Sequence, residues 1–129
     1  MAANTPKIQE RRKHPRLPKK LPLKVRVDSF DLVAQTQNIS SSGAYCQVDK
    51  YIEPMTRVGI ILLLAMRQKN NKLITRKLNC EGVVVRAEQA KDYAGKFNIA
   101  IFFNNMKKTD TNIVARYIES HLQPAPATI

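Results

Sequence analysis

The segment LPLKVRV, Leu21 to Val27, alternates apolar and basic residues, which predicts a β-strand with one buried face. Further strands are predicted at 30–39 and 45–48, on either side of the polar stretch SSSG, and then at 58–66, 78–87 and 98–103. Turn residues separate these runs, and no helical pattern lies between them. Several short strands without intervening helices indicate an all-β fold, an antiparallel sheet or barrel.

The C-terminal region changes from strand to helix periodicity. Thr109 or Asp110 can cap a helix at its start. Five apolar residues then recur at helical spacing on one stripe: Ile113, Val114, Tyr117, Ile118 and Leu122. We therefore expect a helix at about 109–122 that buries this stripe against the barrel, followed by a disordered tail at 123–129.

Size and composition are those of one ordinary globular domain, with 129 residues, 43% hydrophobic and 25% charged. Cys46 and Cys80 are too few and too far apart for a disulfide framework or a zinc site. We expect His14 and His121 to be surface residues rather than metal ligands. No signal peptide, membrane span or catalytic constellation is visible, so the sequence predicts a cytoplasmic protein that is not an enzyme.

Positive charge is concentrated near the N-terminus. The net charge is +12, and residues 7–26 hold nine basic side chains against one acid. Prolines within 11–22 favour an extended arm over a helix, and residues 1–10 are expected to be a flexible extension of it. Such a field attracts nucleic acid, an anionic membrane surface or a phosphorylated small molecule. Composition does not choose among these three.

Two short motifs narrow the choice. One is R-x-x-x-R, formed by Arg12 and Arg16; the other is N-x-S-x-x-G, formed by Asn38, Ser40 and Gly43. One strand, a turn and most of a second strand separate the motifs. The second strand would therefore return to the point where the arm enters, and both motifs can face one pocket.

The chemistry of these residues suits a guanine nucleotide with accessible phosphates. Arginine matches O6 and N7 of guanine, and also phosphate oxygens, with its planar fork of donors. Asn38 offers an acceptor and two donors, and Ser40 can donate to a phosphate oxygen. Gly43 permits a positive φ or a close backbone approach. Neither motif contains an aromatic residue, so base stacking is expected to fall to the guanidinium planes.

In their order and spacing, the two motifs resemble the signature of PilZ domains, bacterial receptors for cyclic di-GMP. The strand LPLKVRV is similar to the family's first strand, EGVVVRAE at 81–88 to a late one, and FNIAIFF at 97–103 to the last. The resemblance implies a six-stranded antiparallel barrel with a C-terminal α-helix and a nucleotide site at the barrel rim. It implies a PilZ domain at 11–122, with the barrel at about 21–104.

The resemblance also implies roles for individual residues. It assigns cyclic di-GMP contacts to five of them: Arg12, Arg16, Asn38, Ser40 and Gly43. Arg11 and Arg86 match positions that add contacts in some members. Asn98 and Ala100 depart from the family pattern, because members often carry glycines in this strand, and Asn38 stands where many have aspartate. No metal or cofactor is implied beyond the nucleotide.

Three functions are compatible with the sequence. The leading one is a cyclic di-GMP receptor whose arm, from about Lys7 to Lys20, is mobile when empty and orders over the nucleotide. The ordered arm would then present a new surface to a downstream protein partner. The alternatives are a small basic β-barrel that binds nucleic acid, and a PilZ-like adaptor that does not bind nucleotide. One sequence leaves these open.

Overall fold

The structure of the protein, a computed structural model, describes residues 15–92 and 94–122. The predictions made for the extension at 1–10, for Arg11 and Arg12, and for the tail at 123–129 lie outside these residues. Within the part of the chain that the structure describes, no helix is long and apolar enough to cross a membrane.

Six antiparallel strands close into a barrel. The strands are β1 (Pro22–Val27), β2 (Phe30–Ser40), β3 (Gly43–Val48), β4 (Arg57–Arg67), β5 (Leu73–Gln89) and β6 (Phe97–Asn105). They neighbour one another in the order β1-β2-β3-β6-β5-β4, and pairing of β1 with β4 closes the ring. One helix, α1 (Lys108–Leu122), follows. The six-stranded barrel with a C-terminal helix is confirmed.

The core fills the barrel and continues under the helix. On β1 the apolar residues are buried and Lys24 and Arg26 are exposed, as the alternating pattern predicts. Four residues of the helical stripe belong to the same buried cluster as the barrel interior: Ile113, Val114, Tyr117 and Ile118. Leu122 was expected to be the fifth, but it is exposed in the last turn of α1.

The helix begins slightly before its predicted start. Its first residue is Lys108, so Thr109 and Asp110 lie in the first turn instead of capping it. The carbonyl of Lys107 accepts from both the amide and the hydroxyl of Thr111, at 2.9 and 3.2 Å. The Asp110 carboxylate still faces the positive end of the helix dipole, which stabilises this end.

Strand β5 is longer than the predicted 78–87. It pairs with β6 only from Glu81 onward, and β4 pairs with β1 only up to Leu62. Residues Leu63–Arg67 and Leu73–Lys77 therefore pair only with each other, as a two-stranded ribbon that extends beyond the barrel. The sequence pattern missed Leu73–Lys77 because polar and basic residues there break the alternation of apolar positions.

Part of the basic arm is attached to β2. The Leu17 amide donates to the Ile39 carbonyl at 2.7 Å, and the Ile39 amide donates back at 2.9 Å. The Leu17 side chain is buried in the core cluster. The prediction of a mobile arm up to Lys20 therefore differs from the structure, because a buried leucine and a two-way backbone bridge hold the chain from residue 17 onward.

A buried threonine provides a second attachment. The Thr36 hydroxyl accepts from the Leu21 amide at 2.9 Å and donates to the Lys19 carbonyl at 2.6 Å. The Thr36 amide also donates to the Leu21 carbonyl at 2.9 Å. These bonds satisfy polar groups of the arm where it joins β1, so the arm lies beside β2 in a defined register.

Candidate functional site

The structure brings one arginine of the arm beside the asparagine of β2. Arg16 Nη1 donates to Asn38 Oδ1 at 2.7 Å, although the residues are 22 positions apart in the chain. The contact follows from the bridge between the next residues, Leu17 and Ile39, which sets the arm and β2 in register. Two residues predicted to share a site from their motifs are thus adjacent in space.

A β-bulge in β2 turns the Asn38 side chain outward. Leu32, Ala34 and Thr36 point into the barrel, and strict alternation would place residue 38 there too. The register shifts between Thr36 and Asn38, so the next buried side chain is Ile39. Bulges commonly re-aim a side chain in this way. In the sequence, this bulge corresponds to a change in the spacing of inward-facing residues, from two along Leu32–Thr36 to three between Thr36 and Ile39.

Strand β5 contains a second bulge with the same effect. Val84 is fully buried, the register shifts between Val84 and Arg86, and Ala87 is the next residue to pack against the core. Arg86 therefore lies on the outer face, where strict alternation would have placed it inside. Asn38 and Arg86 thus each reach the outer surface through a bulge.

The two bulges align four residues in one row across the outer face. Asn38 pairs with Tyr45, Tyr45 with Ala100, and Ala100 with Arg86. Neighbouring strands lie about 4.8 Å apart, so three steps span roughly 14 Å. We call these four residues the central row. It starts at Asn38, beside Arg16 of the arm, and ends at Arg86 of β5.

The turn after β2 is tightly connected. Ser40 is only 1% exposed, and its hydroxyl accepts from the Ser42 amide at 3.2 Å. The same hydroxyl lies 3.1 Å from Ser42 Oγ and makes a long, 3.4 Å bond to the Gly43 carbonyl. In this structure Ser40 shapes the turn, and its direct contact with a nucleotide stays a prediction.

Gly43 is required by the packing of β3 on β6. A Cβ atom at this position would overlap the backbone carbonyl oxygen of Ile101. The Ser42 carbonyl also accepts from the Phe103 amide at 2.8 Å, which ties the turn to β6. The close approach expected from the motif is therefore between two strands, and it holds the turn beside the central row.

Aromatic residues lie on this face, although the motifs contain none. Tyr45, half-buried, is two residues past Gly43, and its outward direction follows from the buried positions of Ala44 and Cys46. Phe102 is 48% exposed and lies two residues from Ala100 on the same face of β6. Counting alternate inward and outward positions along β3 and β6 would have placed both rings on this outer face.

Polar residues form the row on the other side of the central row. Gln47 Nε2 donates to Asn98 Oδ1 at 3.2 Å, and Asn98 pairs in register with Glu88. Glu88 Oε2 lies 3.9 Å from Arg86 Nε, and both side chains are mostly exposed. Such a pair is weak in solvent, so Arg86 can exchange this carboxylate for a ligand oxygen.

Titratable groups elsewhere on the barrel have shifted pKa values. Burial raises the pKa of Cys46 to about 12, so its thiol is neutral and does not act as a nucleophile. The pKa of Asp31 is lowered by the hydrogen bond from Arg26, on the β1–β2 hairpin. Within residues 15–92 and 94–122, no group of three or more His, Cys, Asp or Glu side chains could hold a metal ion.

The sequence profile of the PilZ domain matches residues 10–120. The chain belongs to the PilZ domain family. This match covers both motifs and all six strands, and confirms the resemblance found in the sequence. PilZ domains are a family of cyclic di-GMP receptors and are generally non-catalytic. A comparison with curated proteins gives no match.

Solved PilZ structures share the fold. The Bacillus subtilis inhibitor of motility MotI/DgrA superposes with a TM-score of 0.72 at 16% identity. The match covers 85% of this chain but only 50% of MotI/DgrA, so this chain spans about half the length of that protein. The PilZ domain of YcgR from Escherichia coli, solved with cyclic di-GMP, gives 0.63 at 13% identity over 85% of this chain and 90% of that one. The PilZ domain of CeSA from a cellulose-synthesizing bacterium gives a TM-score of 0.54 at 18% identity, and the match covers 84% of this chain and 98% of that one.

Proposed function

We propose that this PilZ domain is a non-catalytic receptor that binds cyclic di-GMP on the outer face of β2, β3, β6 and β5. The observation that carries the proposal is the 2.7 Å contact between Arg16, the last residue of the first motif, and Asn38, the first residue of the second. The family supports the choice of ligand. The high positive charge, +12 overall, favours a dianionic nucleotide.

Arg16 is the first residue that we expect to grip the nucleotide. Its contact with Asn38 orients the guanidinium plane, so the ligand does not bear the full entropic cost of ordering a long side chain. The oriented fork presents donors for guanine O6 and N7 or for phosphate oxygens. Arg12, and Arg11 beside it, are proposed to close over the ligand from the same arm.

The rest of the central row offers a platform for the nucleotide. The Tyr45 ring can stack on a base, and the small Ala100 leaves room beside it. Arg86 lies at the far end of the row, where it can pair with a second phosphate or guanine. Because Asn38 is neutral where aspartate would be charged, it does not repel the dianion.

The proposed switch is the ordering of the arm on binding. Leu17 and the residues after it are attached to β2, so we propose that the ordering step involves the part of the arm that precedes them, from about Lys7. Cations in that segment repel one another until a dianion neutralises them. The ordered arm then presents a new surface to a downstream protein. Since the ligand is an intracellular second messenger, we expect the protein in the cytoplasm.

Calorimetric titration with cyclic di-GMP tests this function. We expect saturable binding that GTP does not compete away, with Arg12→Ala and Arg16→Ala each weakening it by about 1–3 kcal/mol. The matched control is Arg76→Ala, which removes an exposed arginine of the ribbon. Equal losses in all three variants would indicate diffuse electrostatics. Absence of nucleotide binding, with RNA affinity that falls steeply with salt, would establish the nucleic-acid alternative.

A further inference from the structure

A groove lies on the side of the molecule formed by the ribbon and the helix. The ribbon, α1 and the arm at Lys19–Pro22 enclose it, with a volume of about 1260 Å³. The central row is not part of its lining. Leu17 and Thr36, which anchor the arm to β2, are not part of it either, so the groove is a surface distinct from the proposed nucleotide site.

Apolar side chains line this groove. Leu63 and Leu73 on the ribbon are 37% and 59% exposed, although both are large and apolar. Ile113 and Tyr117 of α1, both buried, also line the groove. Exposed apolar residues clustered in a concave site are typical of a surface that another molecule covers.

The rim of the groove is strongly basic. Five cations line it, against one acid, Glu119: Lys19, Arg67, Lys69, Arg76 and Arg116. In the described part of the chain, the ion pairs involve only Asp31 and Glu88 as acids, and neither lines the groove. None of the five rim cations therefore forms an ion pair with a carboxylate of the described residues.

The edge of β4 adds a third property. Pro22 has no amide hydrogen, and the pairing of β1 with β4 stops at Leu62. Beyond this point, the edge of Leu63–Arg67 has no strand partner from β1. An unpaired strand edge is a template for another polypeptide, whereas a nucleic acid cannot continue a β-ladder.

We propose that this groove docks an acidic protein segment that carries apolar side chains. Its carboxylates would meet the five cations of the rim, and its apolar residues would cover Leu63 and Leu73. A nucleic acid would not cover the exposed leucines with apolar groups, and of the two rings in the lining, Tyr117 is buried and only His121 is exposed. Charge complementarity together with apolar lining thus favours a protein partner.

Selection from a phage-displayed library of random 16-residue peptides on the immobilised full chain tests the proposal. We expect enriched peptides with more Asp and Glu than Lys and Arg, and with several large apolar residues. Binding of the selected peptides should weaken at least tenfold in Arg67→Glu/Arg76→Glu. Leu63→Ser should weaken it as well, because it removes apolar contact without changing charge.

The matched control is Lys91→Glu/Lys96→Glu, which makes the same change in net charge in the exposed loop between β5 and β6. It should weaken peptide binding less than twofold. Equal weakening by both double variants, no enrichment, or selected peptides without an acidic excess would each overturn the proposal. The proposal would also be overturned if a fluorescent 20-nucleotide RNA bound more tightly than the peptides and lost its affinity in the Arg67→Glu/Arg76→Glu variant.

Cyclic di-GMP titration of the same variants separates this proposal from the proposed function. Unchanged nucleotide affinity in Arg67→Glu/Arg76→Glu, with peptide binding lost, supports a distinct docking surface and shows that the variant is folded. Peptide binding by a chain that does not bind the nucleotide would leave the docking proposal intact. Loss of the nucleotide together with the peptide, at an unchanged melting temperature, would overturn the separation of the two surfaces.

Discussion

The central row and the ribbon groove use arginines in different ways. Around the central row, buried or hydrogen-bonded groups define the geometry: the bridge of Leu17 with Ile39, the Thr36 hydroxyl and the Ser40–Gly43 turn. In the groove, exposed cations surround exposed leucines on a ribbon that lies outside the closed barrel. Positive charge is common to both surfaces, and they differ in how many buried or hydrogen-bonded groups hold the neighbouring chain.

This difference agrees with the size of the partner that we propose for each surface. A small nucleotide offers few contacts, so its site gains affinity when donors are already placed. A protein segment offers many contacts along an extended surface, and adaptable side chains suffice. Substitutions beside the central row should therefore affect stability and affinity more sharply than similar substitutions on the ribbon.

The largest effect is expected from Gly43→Ala. The new methyl would overlap the Ile101 carbonyl and force β3 away from β6, which should lower the free energy of unfolding by about 3 kcal/mol and weaken cyclic di-GMP binding. Urea denaturation measures the first effect and calorimetry the second. Gly59→Ala is the control, because its Cβ would meet only Arg26 Cβ at 3.6 Å. Equal destabilisation by both would contradict the close packing at Gly43.

Thr36→Val tests the anchoring of the arm with a nearly isosteric change. It leaves the Leu21 amide and the Lys19 carbonyl without their hydroxyl partner, which should cost about 2 kcal/mol of stability. Amide exchange at Leu21 should accelerate. Thr75→Val, on the exposed ribbon, should change stability by less than about 0.5 kcal/mol. If exchange at Leu21 stayed at the wild-type rate, the anchor would lie elsewhere.

Tyr45→Ala tests the aromatic platform. Loss of a stacked base should weaken cyclic di-GMP binding by about 1–2 kcal/mol, whereas Tyr45→Phe keeps the ring and should bind nearly as well. Tyr51→Ala, which removes an exposed tyrosine in edge contact with Phe97, is the matched control. Calorimetry compares the three. A Phe variant as weak as the Ala variant would assign the contact to the hydroxyl instead of the ring.

The smallest effect is expected from Glu88→Gln. Removing the carboxylate 3.9 Å from Arg86 also removes repulsion of the dianion, so affinity should rise about twofold at low salt. The gain should fade as salt screens the charges. Glu53→Gln, at an exposed position before β4, should leave the affinity unchanged. If the gain in affinity persisted at high salt, its cause would be a contact made by the glutamine and not the loss of charge repulsion.

The sequence predicted most of the fold because alternation and turn residues act locally. It located all six strands and the helix, and the motifs identified the family. It missed the first five residues of β5, because Leu73–Lys77 pairs with β4 in a ribbon that has no buried alternation of its own. It also started the helix one residue late, because Thr109 and Asp110 lie within the first turn instead of capping it.

The candidate site was harder to predict than the fold. Asn38 and Arg16 were identified by motif, but their contact depends on a register between the arm and β2 that no local pattern encodes. Tyr45 and Phe102 were missed because the motifs contain no aromatic residue. Arg11 and Arg12 remain predictions, since they lie outside the described residues.

By itself, the sequence determined the all-β class, the C-terminal helix, the excess of positive charge and the two motifs, because each depends only on local periodicity, composition or short residue spacings. Tertiary structure decided which side chains share a surface. Two bulges turned Asn38 and Arg86 outward, and cross-strand register aligned them with Tyr45 and Ala100. The end of the β1–β4 ladder at Leu62 opened the groove. These outcomes depend on pairing between strands distant in the chain, where a shift of one residue reverses the face of every side chain.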